Sequence, residues 1–352
     1  MNATTTYGVD TAKNVMQLHW VDVATGEIKR KKVSRDKFVE FFAQRHASRI
    51  VMEACGGSHH WGRTLTALGH QVELLPARDI RPFVRGNKDD AADARAIWLA
   101  AHQSDIHRVR IKSCNQQAML SLHRARKHWV DVRTATMNML RGLLVEFGIA
   151  LPKGKEIGLK AMAEQRERIK QDLPGPMLEL LDTQLLAIKQ LQQQAEALER
   201  AIAALRKSDE TARRLFEVPG IGPLGSTALS AVLGDGMTWR NGRSFSCSIG
   251  LVPRHDGTGG KVSIGKMSKR GDPYLRNLLI SGARSVLSGK NAPEWAQNLL
   301  QRRPFNVVVV ALAHKLARIA WALAAYGRHY DGQWKSTSPG MPGDRLTSEK
   351  PA

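Results

Sequence analysis

Tyr7-Gly8-Val9-Asp10-Thr11 reads as a short strand ending on a carboxylate, and the pattern returns in Arg49-Ile50-Val51-Met52-Glu53-Ala54. Between them, Val15 to Val23 alternates in strand fashion, Thr25-Gly26-Glu27 turns, and Ile28 to Val33 returns as a basic strand. An amphipathic segment from Asp36 to His46 precedes the second acid-bearing strand. A helical stretch from Trp61 to Leu68 and a short strand from Gln71 to Leu75 follow it. A hairpin, then helices alternating with strands, predicts a mixed α/β sheet of the ribonuclease-H type over residues 1–110. A dinucleotide-binding sheet is disfavoured, because no glycine-rich turn follows the first strand.

Two more acids follow. Asp90 and Asp93 stand three apart in Asn87-Lys88-Asp89-Asp90-Ala91-Ala92-Asp93-Ala94, at the start of a helical stretch. Three elements thus deliver Asp10, Glu53, Asp90 and Asp93 toward one end of a sheet. Each acid alone has an ordinary role: capping a turn, pairing with a base, or charging the first turn of a helix favourably. Together they form the oxygen-rich set that hard divalent cations take, and Mg²⁺ commonly joins a few carboxylates to substrate phosphates. Asp89 falls outside the Lys-x-Asp-x-x-Asp register, so Asp89→Ala is expected to be mild.

With 352 residues there is room for two domains. The net charge of +21 and pI near 10.3 point to nucleic acid as the partner. An anionic membrane surface lacks a supporting segment. The first residues show no basic-then-apolar signal, and the longest apolar stretch, Val307 to Ala325, is interrupted by His314, Lys315 and Arg318. Cys55, Cys114 and Cys247 are scattered without metal-ligand spacing, as expected of reduced thiols in a cytoplasmic protein.

Residues 111–210 read as a basic helical region. Asn115 to Glu146 carries Arg124, Arg126 and Lys127 among other cations, expected to track a phosphate backbone. Pro152 to Gly158 is expected to break the helix. Residues 177–205 then place Leu178, Leu181, Leu185, Ile188, Ala195, Leu198, Ile202 and Leu205 at steps of three, four and seven, which fits a coiled-coil seam. Its expected use is an oligomerisation arm, with packing inside the chain as the alternative. Residues 211–332 form a second compact, mainly α domain. It opens on Val218-Pro219-Gly220-Ile221-Gly222-Pro223, a turn resembling the helix-hairpin-helix, although such turns also serve tight helix packing. Residues 333–352 have the composition of a disordered tail.

Between Gly250 and Arg276 lies a second chemical cluster. A glycine-rich loop carries Thr258, Ser263 and the cations Arg254, Lys261, Lys266, Lys269, Arg270 and Arg276. Cations can hold a scissile phosphate while a hydroxyl attacks it. Composition by itself favours the plainer role of a DNA-binding loop without chemistry.

Asp10, Glu53 and Lys88-x-Asp90-x-x-Asp93-Ala94, then Pro219-Gly-Ile-Gly, then Gly250-Leu-Val-Pro…Thr258-Gly-Gly-Lys…Ser268-Lys-Arg-Gly-Asp…Leu275-Arg276, occur in this order. They resemble the insertion sequence 110 family of DEDD transposases, and the glycine-rich loop is most similar to its insertion sequence 1111 branch. The resemblance runs over roughly residues 5–330. It implies a RuvC-like domain whose DEDD acids are Asp10, Glu53, Asp90 and Asp93 with Mg²⁺, a coiled-coil connection and a C-terminal transposase domain. It also implies a noncoding guide RNA, encoded by the element, that pairs with donor and target DNA. The family's nucleophile is a serine just before the loop glycines, where this chain has Gly257-Thr258. Threonine keeps the hydroxyl but adds a methyl group that stiffens χ1. Thr258 as nucleophile, Ser263 in its place, and a catalytically impaired copy all stay open. The expected protein is an RNA-guided DNA recombinase acting as a dimer or tetramer in the bacterial nucleoid. A metal-only nuclease such as a junction resolvase, or a non-catalytic nucleic-acid-binding protein, are the rivals.

Overall fold

The computed structural model describes residues 4–84, 89–290 and 292–333. Lys88 and nearly all of the expected tail lie outside them. The chain divides into two compact units, Met1–Leu205 with Ser230–Arg240, and Arg206–Leu229 with Asn241–Ala352.

The first unit is built on a mixed sheet. β1 (Thr6–Thr11), β2 (Val15–Val21) and β3 (Ile28–Ser34) form an antiparallel meander. After α1 (Phe38–Ala43), β4 (Arg49–Glu53) pairs parallel with β1; after α2 (Ser58–Ala67), β5 (Gln71–Leu75) pairs parallel with β4. The order across the sheet is β3-β2-β1-β4-β5. The expected helix from Asp36 to His46 is shorter, because residues 35–37 form a 3₁₀ turn first. Tyr7, Val9, Met16, Leu18, Val33, Ile50 and Met52 point to one face and meet Phe38, Phe41, Phe42, Trp61 and Leu65 of α1 and α2. After the short α3 (Ala77–Ile80), α4 (Asp90–Ala101) covers the other face, where Val51 packs with Ala96, Ile97 and Ala100. β4 is covered on both sides, which is why Ile50-Val51-Met52 is an unbroken apolar run.

Glu73 of β5 takes a bidentate pair from Arg49 (2.9 and 2.8 Å) and a further bond from Arg108 (2.8 Å). Both arginines also donate to the carbonyl of Ala101, pinning the C-terminal end of α4 to the sheet.

α5 (Cys114–Val145) starts on a Ser113/Gln116 capping box. The expected break from Pro152 to Gly158 is shorter than the sequence suggests, since α6 (Lys155–Glu164) begins inside it; α7 (Arg166–Asp172) and α8 (Gly175–Ser208) follow. Leu181, Ile188, Ala195 and Ile202 are the buried residues of α8, seven apart. Leu181 and Ile188 pack in one core with Met137, Leu140 and Leu144 of α5, with Leu178 and Leu185 against it. Arg126 pairs with Glu199, and Arg133 bonds Gln192. These pairings make α5 and α8 antiparallel. This stretch of the seam read as an oligomerisation arm packs within its own chain.

The second unit comprises α9 (Glu210–Phe216), most of α10 (Pro223–Leu233), α11 (Gly242–Ser248), strands β6 (Pro253–Thr258) and β7 (Lys261–Met267), and α12 (Pro273–Ser288), α13 (Glu294–Leu300) and α14 (Phe305–Tyr326). By length and composition α14 could cross a membrane, but it packs as a core helix against α9, α11, α12 and α13. The Gly220 turn serves helix packing: a Cβ on Gly282 of α12 would sit 1.7 Å from the Gly220 carbonyl oxygen.

Candidate active site

Asp10 is the penultimate residue of β1 and Glu53 the last of the adjacent parallel strand β4, each one step beyond the Val9–Met52 pair, so their backbones lie side by side. Asp90 and Asp93 occupy the first turn of α4. The helix reaches them because β1 carries glycine at position 8. A Cβ there would lie 2.4 Å from the Ala94 carbonyl oxygen and 2.6 Å from the Trp98 nitrogen. Only a bare backbone lets α4 lie flush on β1. Carboxylate oxygens of Asp10, Asp90 and Asp93 then come within 4.8 Å of one another, the one such group among the described residues. Glu53 stands outside this trio but within its field.

Burial first, then repulsion from Asp93, Asp90 and Glu53, pushes the Asp10 carboxyl up to about 6. Burial and the Asp93 charge raise Glu53 as well. Gathered like charges need a proton or a cation, and three carboxylates with all-oxygen chemistry suit a hard divalent ion.

Asp89, whose replacement is expected to be mild, is the N-cap of α4 and accepts a bond from the Ala91 amide at 3.3 Å. An Asp immediately before a helical run is a start signal in its own right, independent of the Lys-x-Asp-x-x-Asp spacing. Gly8 was missed, since its role depends on a helix more than 80 residues away.

The Gly250–Arg276 loop is a β-hairpin. Gly259 and Gly260 (φ 55° and 79°) make a two-residue turn of the kind that follows strand twist. Thr258 pairs with Lys261 and Asp256 with Ser263, so both candidate hydroxyls share one exposed face with Lys261 and Asp256. Neither hydroxyl has a hydrogen-bond partner among the described residues. Arg254, Lys261, Lys266, Lys269 and Arg270 are all exposed. Arg276 is a correction: it is buried, and its guanidinium donates to the carbonyls of Ile249 (3.0 Å) and Arg270 (3.2 Å), anchoring the hairpin base. On α5, Arg124 is exposed, whereas Arg126 is held by Glu199 and Lys127 by Asp131. Two of the three cations expected to track a backbone are thus ion-paired, Arg126 across to α8 and Lys127 one turn along α5 itself.

The fold and site define a class: a mixed α/β unit that gathers three carboxylates able to take a divalent ion, continued by a mainly helical unit with a cationic hairpin. Residues 7–149 match the DEDD transposase family of the IS110 kind, and residues 212–299 match the family described as Transposase IS116/IS110/IS902. The chain is 44% identical over 322 residues to a probable family 20 transposase of Pseudomonas aeruginosa, covering 90% of this chain and 95% of that protein. It is 39% identical over 329 residues to the transposase for insertion sequence element IS1328 of Yersinia enterocolitica, covering 92% and 97%. It is 36% identical over 332 residues to the transposase for insertion sequence element IS1111A of Coxiella burnetii, covering 90% and 88%. The chain belongs to the IS110 family of insertion-sequence transposases, enzymes of DNA recombination.

Proposed function

We propose that this transposase is an RNA-guided DNA recombinase that cuts strands with a hydroxyl nucleophile and a Mg²⁺-binding acid site. The observation that carries it is the pairing, in one chain, of the Asp10–Asp90–Asp93 trio with unpartnered hydroxyls on a cationic hairpin. Thr258 Oγ1 attacks the DNA phosphorus, a threonyl phosphoester forms, and the bond to a deoxyribose oxygen breaks. The threonine proton passes to that leaving oxygen. A hydroxyl from another DNA end then attacks the phosphoester, restoring threonine and joining the new strand. Lys261 on the same face neutralises the phosphate oxygens, while Arg254, Lys266, Lys269 and Arg270 hold the flanking backbone. Asp10, Asp90 and Asp93, with Glu53 beside them, would hold Mg²⁺, which supplies Lewis-acid stabilisation of phosphate charge.

Sequence choice lies in pairing with an element-encoded guide RNA, and the chain's cations contact backbone and shape. Exchange between two duplexes calls for several active sites, hence a dimer or tetramer working on the nucleoid. The ribonuclease-H-like reading of the first unit is supported by its strand order.

A nicked suicide substrate that traps a covalent protein–DNA adduct tests the reading. The adduct should persist in Thr258→Ser and vanish in Thr258→Ala. Loss in Ser263→Ala alone moves the nucleophile to Ser263, and a cleaving protein with no adduct in any variant leaves the metal-only nuclease. Sequencing of co-purified RNA should give one structured species encoded beside the gene.

A further inference from the structure

The face of the sheet under α4 carries a row of polar residues that leads away from the acids. Asp10 in β1 is the cross-strand partner of Gln17 in β2, and Gln17 is the partner of Lys32 in β3. Directly paired residues share a face, with Cβ atoms about 5 Å apart. The neighbouring row runs Gly8, His19, Arg30. Met16, Leu18, Lys31 and Val33 take the opposite face, where the Lys31 ammonium lies 5.3 Å over the Phe41 ring.

Gln17 is the unusual member. It is 7% exposed, yet its carboxamide hydrogen-bonds to no described residue. Its polar atoms are not sealed in the protein either, unlike Nδ1 of the neighbouring His19. Because the amide is open to solvent and has no described partner to lose, an apolar side chain of equal length would break no hydrogen bond among the described residues. Lys32 and Arg30 are exposed, and neither has an ion-pair partner among the described residues. Asp22 and Glu27, the acids of the meander other than Asp10, are both engaged by Lys29. From β1 to β3 is two strand spacings, about 10 Å. A DNA strand advances about 3.4 Å per nucleotide, so this distance spans about three nucleotides.

We propose that Gln17, Lys32 and Arg30 form a track for the DNA strand leaving the acid cluster toward the β3 edge. Gln17 donates from its amide to a phosphate oxygen beside the scissile position, and the two cations neutralise the phosphates beyond it. The track rests on the reading that DNA is cut at the Asp10–Asp90–Asp93 cluster.

The test uses the full-length chain and a fluorescein-labelled DNA duplex of mixed sequence, titrated over a range of salt. Each phosphate contact adds about 0.9 to the slope of log affinity against log salt. The double variant Arg30→Gln, Lys32→Gln should therefore lower that slope by about 1.8, while Lys31→Gln, on the opposite face, leaves it unchanged. Gln17→Met should weaken binding on the order of ten-fold or more, the scale of a hydrogen bond to a charged group. Its melting temperature should stay at or above wild type, which a structural glutamine would not give. Equal slopes in the double variant and in Lys31→Gln overturn the track, as does a slope change seen with duplex RNA but not DNA. If Asp10→Asn abolishes cleavage while Gln17→Met and the double variant bind and cleave normally, the track fails and the acid site stands. If Asp10→Asn still cleaves, the acid-site reading fails, and the track, which rests on it, falls with it.

Discussion

Replacing Gly8 with alanine should disable the acid site without touching any acid. The added Cβ would lie 2.4 Å from the Ala94 carbonyl oxygen, 2.6 Å from the Trp98 nitrogen and 2.7 Å from the Trp98 Cβ. These are mostly backbone atoms of a helix, with no flexible side-chain tip that could turn away. Ordinary van der Waals contact begins near 3.4 Å, so α4 must lift by about 1 Å. Such overpacking costs typically about 1–3 kcal/mol. For a unit of this size, 2 kcal/mol corresponds to about 4–8 °C in melting temperature. The catalytic effect should be larger in proportion. Asp90 and Asp93 ride on the lifted turn while Asp10 stays with β1, and a misplacement of about 1 Å can lower a rate by about 10²-fold. Strand cleavage in Mg²⁺ and thermal melting of the same preparation measure the two effects together. Wild-type cleavage with unchanged melting would refute the claim that this close approach positions the acids. A large loss of stability with normal cleavage at low temperature would refute the coupling between them.

The pH response of the metal-free protein should carry the sign of a strained acid cluster. Asp10 holds its proton up to about 6 in the folded chain against an ordinary 3.8, so the unfolded chain releases it first and stability falls as pH rises from about 4 to 6. Glu73 and Asp235, lowered by their arginines, pull the other way, so the effect is read as the melting difference between wild type and Asp10→Asn, and Mg²⁺ should flatten it. Asp89→Ala should cost about 1 kcal/mol through the lost cap and slow cleavage without abolishing it, with Asp89→Ser restoring both; full activity and unchanged melting in the alanine variant would remove the cap from the site. Lys269→Glu with Arg270→Glu should weaken DNA binding across many sequences and leave melting nearly unchanged. Arg276→Ala should instead lower the melting temperature, because it strips the Ile249 and Arg270 carbonyls of their buried donor; melting like wild type would return Arg276 to the exposed cations.

Local patterns in the sequence were sufficient for the element order of the first unit, because alternation and amphipathicity depend on neighbours only a few residues away. The meander, both acid-bearing strands and the Asp90/Asp93 turn were legible for that reason, and the +21 charge pointed to nucleic acid before any fold was known. Tertiary structure decided which groups meet. That Asp10 joins Asp90 and Asp93 more closely than Glu53 depends on where α4 settles, and this depends on the missing side chain at Gly8. The α8 seam has the same heptad pattern whether its partner is another copy or α5, so periodicity could not choose between them. The Thr258 hairpin escaped recognition because both its faces are exposed, which leaves no apolar alternation to read. Arg276 looked like its neighbours because charge is written in the sequence and burial is not. Burial is settled only when distant segments close over a side chain.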